Sequence, residues 1–269
     1  MARHSLSRAH GLGFISYFAA FSLALFDVSL AVVPLFLFVV LCMVAPFLPR
    51  FGFFLPIISR GNSGHNAVSI TFDDGPDPFT TEPLLALLEH HGVKVTFFVV
   101  GKKAAVHPQL IKKILNHGHL LGNHSYSHDN LCMLKSRKHL FQEINGAQEV
   151  LTLFQVKTLA FRPPVGITNP KLWGILKDLG MINVNFSRRG MDFGNRRLNG
   201  LSMRVLKHLR TDHIILLHDV MPKRRADLQL WLNEIDKILQ GIEERGMKVL
   251  PLSELIGQPV MIHRVHCTL

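Results

Sequence analysis

AVSITFDDGPDP, residues 67–78, reads as a short apolar strand over 67–72 that runs straight into two carboxylates, a glycine and a proline. A strand that is apolar along its whole length is covered on both faces, which is the habit of parallel sheets with helices outside them. Polar groups gathered where such a strand ends sit where a parallel β/α architecture places its functional residues.

The same alternation continues outward from this stretch. Strand-like runs are expected at 94–100 (KVTFFVV), 119–123 (HLLGN), 158–162 (TLAFR), 182–187 (INVNFS), 213–218 (HIILLH) and 248–252 (KVLPL). Helical patterns fall between them, near 82–91, 107–117, 136–154, 170–179, 202–210 and 226–245. Gly92, Gly118, Gly180 and Gly246 follow helix ends, where a left-handed cap favours glycine. In the last long helix Leu228, Trp231, Leu232, Ile235, Ile238 and Leu239 form a stripe that faces the sheet. Trp173, among Leu and Ile at helical spacing, also reads as core. Alternating strands and helices imply an α/β fold with a parallel sheet. About seven units suggest a closed or nearly closed barrel, with a doubly wound open sheet as the alternative.

Four polar clusters fall at strand ends: Thr71–Pro76, Asn123–His128, Arg162–Gly166 and Leu216–Asp219. Singly, each has an ordinary reading. A paired Asp caps helices or makes turns, His-x-x-x-His arises by chance among 16 histidines, Arg-Pro-Pro makes rigid turns, and His-Asp can be a structural pair. Together they supply two histidines and a carboxylate, a common donor set for a catalytic divalent metal with a coordination position left open. The spacing of His124 and His128 suits one side of a helical turn. His90, His91, His107, His117 and His139 lie in or beside helices, and His119 precedes a strand; none of these is expected in a catalytic role.

From about residue 67 to 256 the chain resembles the polysaccharide deacetylases, the NodB-homology domain or carbohydrate esterase family 4. The resemblance rests on TFDDGPDP at 71–78, GHLLGNHSYSH at 118–128, FRPPVG at 161–166 and IILLHD at 214–219, with a weaker match in SRRGMDF at 187–193. It implies a distorted (β/α)7 barrel. It further implies Asp73 as general base and Asp74, His124 and His128 as metal ligands. Arg162 and Asp192 would orient and tune the base, and His218 would be the general acid. Leu216 would shape the acetyl pocket, and the Val165 backbone N–H would help hold the oxyanion. The implied metal is zinc, with cobalt, nickel or manganese suited to the same ligands. Val165, Met191 and Phe193 depart from frequent family residues, which bears on substrate preference more than on the reaction.

Residues 11–49 carry Asp27 as their only charge and hold at least one membrane span, too long for a signal-peptide core. The expected organisation is a transmembrane helix or helical hairpin over 1–49, an interfacial segment and linker over 50–66, the catalytic unit over 67–258 and a tail over 259–269. The hairpin is favoured because Arg3 and Arg8 precede the apolar stretch and Arg50 and Arg60 follow it, which puts the catalytic unit on the cytoplasmic face. The net charge of +11, concentrated in pairs such as Arg188-Arg189 and Arg196-Arg197, marks solvated faces or contact with anionic headgroups or a phosphate-bearing substrate. No nucleic-acid motif accompanies it. Cys42, Cys132 and Cys267 form neither a disulfide framework nor a zinc knuckle. The leading function is N-deacetylation of an amino sugar in a polymer, a glycolipid or a lipid-linked intermediate. The alternatives are an N-deformylase or other N-acyl hydrolase on a lipid-linked sugar, and an inactive carbohydrate-binding scaffold.

Overall fold

The computed structural model describes residues 7–263; Arg3 and Cys267 lie outside the described residues. The strands are β1 (Ala67–Asp73), β2 (Thr96–Val99), β3 (Leu120–Asn123), β4 (Val156–Thr158), β5 (Ala160–Phe161), β6 (Ile182–Asn183), β7 (Arg188–Arg189), β8 (Ile214–His218), β9 (Lys248–Val249) and β10 (Met261–His263). The helices are α1 (Arg8–Ala24), α2 (Val32–Val44), α3 (Thr81–His90), α4 (Gly101–Val106), α5 (Pro108–Asn116), α6 (Arg137–Thr152), α7 (Pro170–Leu179), α8 (Leu201–Leu206), α9 (Leu228–Glu243) and α10 (Leu252–Ile256).

The strands pair in the order β6-β5-β3-β2-β1-β8-β7, all parallel, with β9 beside the first residues of β1. The sheet curls into an incomplete barrel whose two sides are bridged by one segment, so the barrel expectation holds and the open doubly wound sheet does not. β10 pairs antiparallel with β4 apart from this sheet.

Every residue of β1 is buried, and the two-residue period of a strand divides them between two interiors. Val68, Ile70 and Phe72 pack under the outer helices with Leu84, Leu88, Trp231 and Ile235. Ser69, Thr71 and Asp73 are the buried polar alternates, on the barrel's inner side. β8 repeats the pattern: Ile215 and Leu217 join the outer cluster, while Ile214 and Leu216 belong to the inner one with Phe98 and Phe186. In this register Asp73 pairs with His218 and with Phe98, Val99 with Asn123, and Asn123 with Phe161, so the C-terminal ends of β1, β8, β3 and β5 form one rim.

The barrel's seam lies between the β6 and β8 sides, and the segment before β1 crosses it. Ile58 bridges to Val184 and Arg60 to His213. The Ile58 N–H donates to Asn183 O (3.0 Å), and the Asn185 N–H donates to Ile58 O (2.8 Å). Phe53 and Leu55 are buried against Leu140, Ile144 and Leu172.

α1 and α2 pack side by side, with Gly13 against the Phe38 ring, so the two helices run antiparallel. Their outer ends both meet the barrel: the Ala9 N–H donates to Phe53 O (3.0 Å), and the Thr168 N–H donates to Pro46 O (3.2 Å). The turn between them is capped by Asp27, whose Oδ1 accepts from the Ser29 N–H (2.8 Å). Most of the hairpin's large apolar side chains, Phe14, Phe18, Phe21, Phe36 and Val39 among them, are exposed.

Expected boundaries shift most where strands are short. The strand expected over 182–187 contracts to β6, because the chain then leaves the sheet to carry Asn185 and Phe186 toward the rim. α4 was not anticipated, since GKKAAV has neither an apolar stripe nor a cap before Pro108 starts α5. Gly92, Gly118, Gly180 and Gly246 all have positive φ, as helix-ending glycines should. Trp231 is fully buried, and Trp173 is half-buried at the margin of the cluster that holds Phe53, Leu172 and Leu176. It is partly exposed beside residues 50–57, with the Lys177 ammonium 4.5 Å above its ring.

Candidate active site

The rim delivers its polar groups in adjacent pairs. Asp73 is the last residue of β1 and His218 the last of β8; His124 directly follows β3, and Arg162 follows β5. They line a cleft of about 510 Å³ together with Asp74, His128, Val165, Asp192 and Leu216. All nine residues singled out from the sequence therefore meet in one cavity.

Asp74, His124 and His128 turn one donor atom each toward a common point, all within 4.8 Å of one another. Asp74 Oδ1 lies 2.9 Å from His128 Nε2 and 3.4 Å from His124 Nε2. Donors bound to one divalent ion at about 2.0–2.2 Å stand roughly 3–3.5 Å apart, so the set fits a metal. Among the described residues it is the one cluster of this kind. His124 Nδ1 is 2.7 Å from Arg162 O, an arrangement in which the ring donates to the carbonyl and keeps the Nε2 lone pair free for an ion. Burial opposes the charged form of Asp74, but the His124 and His128 rings beside it outweigh burial and hold the carboxyl well below the usual range. Burial likewise works against His128 as a cation, and the hydrogen bond and charge of Asp74 raise it above its ordinary value.

The two histidines do not share a helical turn. Residues 124–128 form a loop, and positive φ at Ser125 and His128 brings the second imidazole back beside the first. Asp74, Val165, Met191 and Phe193 are also at positive φ. Such conformations cost free energy in residues other than glycine, and they gather at functional sites. Asn123 supports the loop from beneath: its Oδ1 accepts from the Ser125 N–H (3.0 Å), and its Nδ2 donates to Ile144 O (2.9 Å).

Asp73 is 4% exposed, and its Oδ1 accepts from Arg162 Nη1 at 2.6 Å. The fully buried guanidinium also donates to Thr71 Oγ1, Val184 O and Asn185 O, and it stacks on the Phe98 ring. With every arm occupied, Arg162 holds Asp73 in a single orientation. Asp192 does not join this pair as expected. Its Oδ2 lies 2.7 Å from His218 Nδ1, so the two supports divide, Arg162 on Asp73 and Asp192 on His218. Burial alone would lower His218; Asp192 as hydrogen-bond partner and charge, with Asp74 and Asp73 behind it, raises it to about 9. At neutral pH His218 therefore carries a proton that it can give away.

Asp219 was legible only as the neighbour of His218, and it proves to be a buried strut. Thr80 Oγ1 and Thr81 Oγ1 each donate to its carboxylate at 2.7 Å, tying β8 to the start of α3 and to the loop that presents Asp73 and Asp74. A Cβ at Gly75 would collide with this carboxylate, which accounts for glycine there. Burial pushes Asp219 up to about 7 against the lowering effect of the two hydroxyls. Phe186, Arg189 and Arg196 also line the cleft; the sequence marked the two arginines only as members of basic pairs, Arg189 within the weaker SRRGMDF stretch, and did not mark Phe186 as a site residue. His91 pairs with Asp236 at 2.6 Å and His119 is buried next to β2, both away from the cleft.

A family model described as polysaccharide deacetylase matches residues 60–184. The chain is 30% identical over 191 residues to a peptidoglycan-N-acetylglucosamine deacetylase of Bacillus cereus, covering 70% of this chain and 87% of that protein. It is 27% identical to a chitooligosaccharide deacetylase of Azorhizobium caulinodans, covering 72% and 96%. Among solved structures, a peptidoglycan N-acetylglucosamine deacetylase in complex with 4-naphthalen-1-yl-N-oxidanyl-benzamide superposes with a TM-score of 0.69 at 27% identity. That match covers 76% of this chain and 94% of the other.

Proposed function

This chain belongs to the polysaccharide deacetylase family, and on that premise we propose that it hydrolyses the N-acetyl group of an amino sugar in the cleft of Asp73 and His218. The observation that carries the reading is the meeting of two separately supported groups, Asp73 on Arg162 and His218 on Asp192, around a three-donor metal cluster. The family is metal-dependent, and Asp74, His124 and His128 would hold the ion here. The donor set suits zinc, and also cobalt, nickel or manganese. When bound, the metal supplies Lewis-acid polarisation of the amide carbonyl and a more acidic water.

The protein's own groups account for the proton movements. Asp73, fixed by Arg162, accepts a proton from the attacking water as general base. The Val165 backbone N–H donates to the oxygen on which negative charge develops. Leu216, 6% exposed, walls the space for the acetyl methyl. His218 Nε2, left facing the cleft by the Nδ1 contact to Asp192, protonates the departing amine so that the carbon–nitrogen bond breaks. Two acid/base groups held in different charge states suit amide hydrolysis near neutral pH.

The exposed apolar hairpin favours anchorage of residues 1–49 in a membrane, with residues 50–66 joining the anchor to the catalytic unit. Acetate release from an acetylated chito-oligosaccharide, measured with and without added Zn²⁺ alongside bound-metal content, tests the function. Hydrolysis that depends on the ion is expected. A protein that binds the ion and turns over no N-acetylated saccharide would be a binding scaffold instead.

A further inference from the structure

The catalytic cleft carries positive charge that the proposed chemistry does not use. Arg189 and Arg196 line it beside Met191 and Phe193. The arginines with carboxylate partners among the described residues are Arg137, Arg162 and Arg224, so neither cleft arginine is neutralised by an ion pair. The carboxylates that line the cleft are committed elsewhere, Asp73 to Arg162, Asp192 to His218 and Asp74 to His124 and His128. Arg188, next in sequence, turns away and donates to Val205 O, so Arg189 alone of that pair faces the cleft. Arg189 and Arg196 are exposed, and two guanidinium groups free of carboxylates at the mouth of a site that takes an uncharged amide suit an anionic group on the same substrate.

The second observation is where the cleft opens. The chain leaving α2 packs directly on the cleft wall. Pro49 O accepts from Asn185 Nδ2 at 2.8 Å, and Pro49 lies against Gly166 beside Phe186. Arg50 donates to Ser187 O. Phe47 and Leu48, the end of the exposed apolar hairpin, are thus a few residues from cleft-lining Gly166 and Phe186. A substrate embedded in the bilayer that receives the hairpin would have its headgroup at this mouth.

Sugar chemistry joins the two observations. In a 2-acetamido sugar the reacting amide is on the carbon next to the anomeric one. An anionic linkage at the anomeric carbon would sit at the mouth when the acetamido group reaches the floor. Resting on the deacetylase reading, we infer that the substrate is a membrane lipid bearing a phosphate-linked N-acetylated hexosamine, with the phosphate read by Arg189 and Arg196.

The test uses the full chain in phospholipid vesicles loaded with Zn²⁺. Acetate release and KM are measured for N-acetylglucosamine and N-acetylgalactosamine in three forms: linked by phosphate to a polyisoprenyl chain, linked to an alkyl chain by an uncharged glycosidic bond, and as the soluble 1-phosphates. The lipid phosphate form should exceed the uncharged lipid form at least about tenfold in kcat/KM, chiefly through KM. In R189Q and R196Q that ratio should fall by about tenfold. Because both lipids are assayed on the same variant, misfolding lowers both rates and leaves the ratio in place. Equal kcat/KM for the two lipids, or an unchanged ratio in both variants, overturns the inference. Soluble 1-phosphates turned over as well as the lipid form overturn the membrane source. If an acetylated chito-oligosaccharide is hydrolysed and no phosphate form is, this inference alone fails; if nothing is hydrolysed, the deacetylase reading fails with it.

Discussion

Asp73 and His218 face each other across the β1–β8 register, yet each rests on a different buried partner. Their roles therefore separate in mutants. Asp73→Asn keeps the shape and the three metal donors but removes the base. Turnover should fall by about 10²–10⁴-fold while bound-metal content stays at the wild-type level, read by elemental analysis of the purified variant. Asp192→Asn acts on the acid. His218 is protonated, and hence able to donate, below its raised value of about 9, so activity is lost as pH climbs through that value. Without the Asp192 charge, burial pulls His218 down. The alkaline limb of the kcat/KM profile should then move toward lower pH by about one to two units. An alkaline limb left in place would remove Asp192 from the acid's support. Asp73, Asp74, His124, His128 and Arg162 were legible in the sequence because each motif is contiguous and sits at the end of an apolar strand: DDGP after 67–72, HSYSH after 119–123, RPP from the last residue of 158–162. The partner of Asp192 was not legible. It lies 26 residues from His218, and which of two buried groups a distant carboxylate meets depends on how the loop between β7 and α8 packs. The route by which His124 and His128 converge was hidden too, since a four-residue spacing fits a helical turn and a left-handed loop equally well.

At the scale of elements, long periodic segments were the most legible. α9 follows its apolar stripe, and α7 runs from Pro170 at its first turn to the left-handed Gly180. Two-residue strands such as β6, β7 and β9 have too few positions to show a period, and sheet neighbours fix them instead. The crossing of the barrel seam by residues 58–60 was likewise invisible. LPIISRGN has no alternation, and the bridges it forms, to Val184 and His213, lie more than a hundred residues away. This crossing gives a prediction. Ile58→Pro removes the N–H that donates to Asn183 O and restricts the backbone where it spans the two sheet edges. It should destabilise the protein by about 1–3 kcal/mol, seen as a lower denaturant midpoint, whereas Ile58→Val should change little. Equal stability of the two variants would show that the seam does not depend on this bridge.

For the whole molecule, the proposed anchorage would set where the chemistry takes place. The segment Val28–Phe47 has 20 residues, about 30 Å at 1.5 Å per residue, and matches a hydrocarbon core of about 30 Å. The 17 residues of α1 reach about 25 Å, enough to accompany it with modest thinning of the bilayer. The antiparallel packing returns both outer ends to the barrel, where the Ala9 N–H meets Phe53 O. If the proposed anchorage holds, Ser7 and the catalytic unit would share one face of the membrane, and the turn at Asp27 would reach toward the other. Arg8 and Arg50 mark the two outer ends, and the turn has no basic residue, so under the proposed anchorage the charge rule favours the cytoplasmic side for the catalytic unit. The prediction is that an epitope inserted before Ser7 and one inserted after His263 are both shielded from external protease in intact cells and both cleaved after permeabilisation. A reporter active only outside the cytoplasm should give no signal when fused after His263. A single span would instead expose one epitope and shield the other, because one crossing puts the flanks of the apolar stretch on opposite faces. That result would break the hairpin, and with an external catalytic unit it would turn the search for substrates toward the cell surface.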